Sequence, residues 1–143
     1  MSQEDKQLLL ADLCARLPYG VKLNFYAAAT KENYTCTLLG IEPNDDKSII
    51  AKVDSGAFMF PAEHIKPYLR PISSMINEER RELCNIRPCY INSDDIVNST
   101  QCNTFMQASE CQDWLNAHHF DYRGLIEKRL AIAVTEKNNP YKS

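Results

Sequence analysis

Apolar positions near the N-terminus fall at Leu10, Leu13, Cys14 and Leu17, the i, i+3, i+4, i+7 spacing of one helix face. Ser2 stands ahead of them as a cap, Glu4 and Asp5 place negative charge in the first turn, and Pro18 with Gly20 stops the helix. From Val21 the period shortens to two. Val21, Leu23, Phe25, Ala27 and Ala29 alternate with their neighbours, Lys31 to Asn33 form a polar tip, and a second run spans Tyr34 to Ile41, which together predict a hairpin. A turn cluster at Pro43 to Lys47 leads to a third alternation, Ile49, Ala51 and Val53, which ends at Asp54, Ser55 and Gly56. Ala57 to Phe60 makes a short fourth strand, PAEHI (61–65) a single helical turn, and Lys66 to Arg70 extends again. Short strands joined by tight turns predict either a small antiparallel SH3-like barrel or a curved sheet with the N-terminal helix across its open face.

Beyond Pro71 the pattern changes to a charged helix over Asn77 to Asn85, with Glu78, Glu79 and Glu82 set against Arg80 and Arg81 on a solvated face, and Ile76 and Leu83 as its large buried residues. Cys89 to Ala108 is polar and without period, so it reads as a long loop, with a short strand at Cys89 to Asn92. Ser109 and Gln112 match a capping box, and Cys111, Trp114, Leu115 and His118 then share one helical face that ends at His119 and Phe120. Asp121 reads as the cap of a second, two-turn helix from Tyr122, with Leu125, Ile126 and Arg129 on one face. Leu130, Ile132 and Val134 alternate in a returning strand. The fold expected is α+β: a helix with a small barrel or curved sheet over residues 1–71, and a helical lobe over 72–143 packed on it as one compact unit.

Composition narrows the function classes. A chain of 143 residues, 44% hydrophobic, supports one ordinary core. Its 16 basic and 19 acidic side chains give a net charge of −3, which argues against a general nucleic-acid binder. With no long apolar run and no secretory leader in the sequence, we expect no membrane partner and a place in the cytosol. Cysteines at 14, 36, 84, 89, 102 and 111 are irregularly spaced and read as reduced thiols. Cys84 and Cys89 do not form a C-x-x-C knuckle, and the adjacent His118 and His119 point to different helix faces, so neither a metal nor another cofactor is expected.

Two groups of side chains could carry chemistry. His118, His119, Asp121, Tyr122 and Arg123 are close in sequence at the corner, where they could bind a phosphate or polarise a carbonyl. The structural reading is the stronger one: His118 shares a face with Trp114, Asp121 caps, and Tyr122 and Arg123 staple the corner to the sheet. No serine or cysteine nucleophile is paired with the histidines by any motif. The second group is Tyr26, Phe58, Phe60, Lys66, Tyr68 and Arg70, of which Tyr68 and Arg70 are the better surface candidates. As surface groups, either one replaced by alanine changes stability by no more than about 1 kcal/mol. P-loop, G-x-G-x-x-G, G-x-S-x-G and H-E-x-x-H motifs are absent from the sequence. The corner has the joint length of a helix-turn-helix, but its second helix is short and Glu127 offsets Lys128 and Arg129.

The stretches LCARLPYGV (13–21), IKPYLRPISSM (65–75), WLNAHHFDYRGLIEKRLAIAV (114–134) and TEKNNPYK (135–142) resemble a family of small uncharacterised proteins encoded by phages and mobile elements of gut bacteria. In that family a glycine often stands where this chain has Arg129, which suits a helix C-terminus. The family carries no activity to transfer. The resemblance implies a non-catalytic binding protein, with a counter-defence role, that occludes a host protein or sequesters a small nucleotide-like signal. The alternatives are a structural or replication accessory protein without a ligand, or a small enzyme using His118 and His119. A binder of small anions calls for a pocket with convergent Arg, Lys, Tyr or His groups; an occluding module calls for a flat apolar patch.

Overall fold

The computed structural model describes residues 2–27, 29–42, 48–54, 56–61, 64–86 and 105–142. Helix α1 (Gln3–Arg16) starts where the Ser2 hydroxyl accepts the Asp5 N–H at 3.1 Å. Its buried face is Leu9, Asp12, Leu13 and Arg16, rotated from the expected stripe; Cys14 is exposed. The cause is a buried i, i+4 ion pair, Arg16 Nε to Asp12 Oδ2 at 2.8 Å, whose two members look like surface residues in a sequence. A short 3-10 helix, Leu17–Tyr19, follows, and Gly20 takes the left-handed φ of +67° that turns the chain into the sheet.

The strands are β1 (Lys22–Ala27), β2 (Glu32–Glu42), β3 (Ser48–Val53), β4 (Gly56–Pro61), β5 (Ile65–Leu69) and β6 (Ile132–Ala133). They form one sheet in the order β4-β3-β2-β1-β5-β6. The sheet is open, with β4 and β6 at its edges, so of the two alternatives the chain takes the sheet and not the closed barrel. It is also mixed, because β6 runs parallel to β5, pairing Ile132 with Tyr68. Register sorts the faces: Leu23 opposes Cys36 and Pro67, whereas Lys22 opposes Thr37, and Asn24 opposes both Thr35 and Lys66. Leu23, Cys36, Leu38, Val53, Ile65 and Leu69 pack with Leu9 and Leu13 of α1 in the main core, which Leu125, Leu130 and Ala131 complete. Lys22, Asn24, Tyr26, Thr35, Thr37, Lys66 and Tyr68 occupy the outer face.

A second core gathers Leu83 of α2 (Asn77–Ile86), Cys111 and Leu115 of α3 (Phe105–Ala117), and Ile72, Met75 and Phe120 from the segments beside them. Ile76, expected inside, is 55% exposed. Helix α3 begins at Phe105, so Ser109 and Gln112 lie within it and form no cap. The second helix of the corner is also absent: residues 125–129 make one turn. Arg129 N–H donates to the Ile126 carbonyl and Leu130 N–H to the Leu125 carbonyl, at 3.0 and 2.9 Å, the paired bonds that end a helix on a left-handed residue. That residue is Arg129, at φ +61°. The expected strand at Cys89 to Asn92, most of the loop around it, part of the PAEHI turn and the side chains of Phe58 and Phe60 lie outside the described residues.

Candidate functional site

Each corner residue reaches its place through bonds to the fold itself. Asp121 is buried, and its two carboxylate oxygens accept the N–H groups of Leu125 and Ile126, both at 2.9 Å. Arg123 Nη1 donates to Asp12 Oδ1 at 2.9 Å, while Arg16 Nη2 donates to the Phe120 carbonyl at 2.6 Å. The Tyr122 hydroxyl donates to Asn116 Oδ1 at 3.0 Å, and the guanidinium of Arg123 lies 4.7 Å from its ring centre. His118 stacks on Trp114 at 4.0 Å, and its Nδ1 lies 2.9 Å from the Trp114 carbonyl oxygen, an acceptor only, which assigns the ring proton to Nδ1. His119 turns away at φ +63° and stacks on Tyr141 at 3.8 Å. Burial, with the positive charge of Arg16 next in weight, pulls the His119 pKa down to about 4. The two histidines therefore serve separate aromatic stacks.

The expected pair on β5 divides in the same way. Arg70 binds Glu79 through two bonds of 2.7 Å and sits 4.1 Å from the centre of the Phe120 ring. It is a tie between β5 and α2, not a free surface group. Burial raises the Glu79 pKa, but the hydrogen bonds from Arg70 and from the Ile76 N–H outweigh it and leave the carboxyl below its ordinary value. Tyr68 differs. Its hydroxyl accepts from Asn24 Nδ2 at 3.3 Å, and its side chain borders a cleft.

That cleft, about 410 Å³, lies between the outer face of the sheet and the C-terminal loop, with Lys22, Thr35, Asp54 and Tyr68 on one side and Lys137 to Pro140 on the other. The loop is built by its asparagines. Asn138 Oδ1 accepts from the N–H and hydroxyl of Thr135, its amide nitrogen donates to the Ala133 carbonyl, and Asn139 Oδ1 accepts the Tyr141 N–H. Tyr141 then anchors the loop in the sheet. One step beyond the Leu23 and Pro67 pair, the register sets Lys22 opposite Tyr68. There the Lys22 N–H donates to the Tyr141 hydroxyl at 3.0 Å, and that hydroxyl donates to the Tyr68 carbonyl at 2.7 Å. A phenol thus stands inside the ladder, and its burial pushes its pKa up, outside its ordinary range.

Polar groups in the cleft are unevenly engaged. Lys22 Nζ donates to the Thr37 hydroxyl, and Asp54 Oδ1 accepts the Thr37 N–H at 3.3 Å. Lys137 is exposed and has no hydrogen-bond or ion-pair partner among the described residues. Sequence reasoning singled out Tyr68 here and missed Lys22, Asp54, Lys137 and Tyr141. Period-two alternation puts Lys22 outward, but nothing local signals that residues 137–141 return beside it. A smaller, mainly apolar hollow of about 260 Å³ lies between Pro71, Ile72, Tyr122 and Ile126, with the Asp121 carboxylate already engaged.

These features define an α+β chain with one helix-covered and one polar sheet face, and a cleft at the margin of the polar face. Among the described residues no group of three or more His, Cys, Asp or Glu could hold a metal ion, and no helix is long and apolar enough to cross a membrane. Comparison with family models, curated proteins and solved structures gives no match.

Proposed function

We propose that the chain is a non-catalytic binding protein of phage or mobile-element origin, working in the host cytosol in counter-defence by sequestering a small nucleotide-like anion. The observation that supports this reading is the convergence of Lys22, Lys137 and Tyr68 on one concave polar surface of about 410 Å³. Among the described residues the occluding alternative lacks a comparable feature, and the exposed large hydrophobics there are Tyr26, Tyr34, Leu39 and Ile76. Tyr34 opposes Phe25, so it and Tyr26 lie on opposite faces of the hairpin, and Ile76 precedes α2. For the enzyme alternative, the stacking of His118 on Trp114 and of His119 on Tyr141 sends the two rings to different partners.

Mass spectrometry of the protein purified natively and then denatured tests the reading. A released phosphorus-containing small molecule, lost from the Lys22→Met, Lys137→Met double variant, is the expected result. A co-purified host polypeptide in place of any small molecule would overturn it in favour of occlusion.

A further inference from the structure

The cleft holds charges of both signs in a fixed order. Lys22 and Lys137 stand against one carboxylate, Asp54, an excess of one positive charge in a chain whose net charge is −3. Thr37 holds the order in place, because its hydroxyl takes the Lys22 ammonium while its N–H goes to Asp54 Oδ1. A ligand filling the cleft therefore meets both cationic donors and a carboxylate acceptor, with Lys22 and Asp54 held beside each other at Thr37. Tyr68, its hydroxyl bound by the Asn24 amide, adds an aromatic surface.

Resting on the small-anion reading above, we infer that the cleft takes a ring-bearing phosphate monoester, of the nucleoside monophosphate class, and discriminates against polyphosphates. One phosphate satisfies Lys22 and Lys137. The ring stacks on Tyr68, and sugar hydroxyls or a ring amine donate to Asp54, which accepts and cannot donate while ionised. Further phosphates bring like charge beside the exposed Asp54 carboxylate, a repulsion that added salt weakens. Size agrees, since 410 Å³ lies near the lower end of the range of about 300–1,000 Å³ found for ligand pockets.

Isothermal titration of the full chain decides it, using nucleoside 5′-monophosphates of the common bases, the matching nucleosides and triphosphates, and inorganic phosphate. The expected result is a monophosphate bound about tenfold or more tightly than its nucleoside, its triphosphate or phosphate alone. Asp54→Asn keeps an acceptor for the Thr37 N–H and so keeps the fold, which a melting curve checks. In that variant the triphosphate-to-monophosphate affinity ratio rises several-fold, because the triphosphate is freed of a like charge while the monophosphate loses an ionised acceptor. A triphosphate that binds the unaltered chain as tightly as the monophosphate, phosphate alone matching the monophosphate, or Asp54→Asn shifting both nucleotides equally would each overturn the monoester assignment and leave the small-anion reading standing. Failure of every probe at millimolar concentration removes both.

Discussion

Arg129 occupies a backbone position that favours glycine. Its φ of +61° ends the single turn after Gly124, and the left-handed region costs a residue with a Cβ about 1–2 kcal/mol. Glycine removes that cost but brings a more flexible unfolded chain, so Arg129→Gly should stabilise the protein by a net of about 0.5–1 kcal/mol. Denaturant unfolding with an unchanged m-value would verify it; a loss of stability would mean that the arginine side chain contributes more than its backbone costs. His119 shares the left-handed conformation and adds a proton-linked effect. Its folded pKa is about 4 against an ordinary histidine value of 6.5, so between those pH values the unfolded chain binds a proton that the folded one does not. Stability contributed by neutral His119 is therefore full above about pH 6.5 and lost as pH falls toward 4. Because the ring is only partly buried, the loss is on the order of 1–2 kcal/mol after solvent screening is allowed for. His119→Asn, which tolerates positive φ and does not titrate, should flatten the melting temperature across that window.

Between elements, Arg70 is the clearest case of a side chain whose role depends on what packs beside it. It joins β5 to Glu79 of α2 through two bonds and covers Phe120 of the second core. Its side chain and that of Glu79 are 25% and 13% exposed, so truncation leaves a carboxylate short of partners in a poorly solvated place. Arg70→Ala should cost about 2 kcal/mol, above the limit of about 1 kcal/mol expected for a surface group, and chemical denaturation measures the difference. The starts of α1 and α2, the hairpin and the outward alternation of Lys22 were legible in the sequence because each rests on local pattern. Three features were not. Buried Asp12 and Arg16 mimic a solvated face, Arg129 replaces the glycine that marks a helix end, and the start of α3 lies within a stretch that carries no period. The cleft was legible only at Tyr68, since its other charged members are brought together by the register and by Tyr141.

At the scale of the whole molecule, residues from the stretches 13–21, 65–75, 114–134 and 135–142 meet in one place. Arg16 reaches the Phe120 carbonyl, Arg70 exchanges backbone bonds with His119 and Asp121, and Tyr141 stacks on His119 while bridging Lys22 to Tyr68. Asp12 is the acceptor that links the first helix to this junction, with one oxygen on Arg16 and the other on Arg123. It and Arg16 are fully buried, so removing the carboxylate strands two guanidinium groups, one of them without access to water. Asp12→Ala should therefore cost about 3–5 kcal/mol. Arg16→Met in the same chain removes the stranded charge and puts an apolar side chain in its place, at the expense of the bond to Phe120. The double variant should be no less stable than Asp12→Ala alone, with a coupling energy of at least about 1 kcal/mol in a double-mutant cycle. Additive losses would instead mean that Arg16 acts mainly by holding the corner through Phe120, and that the ion pair with Asp12 contributes little of its own.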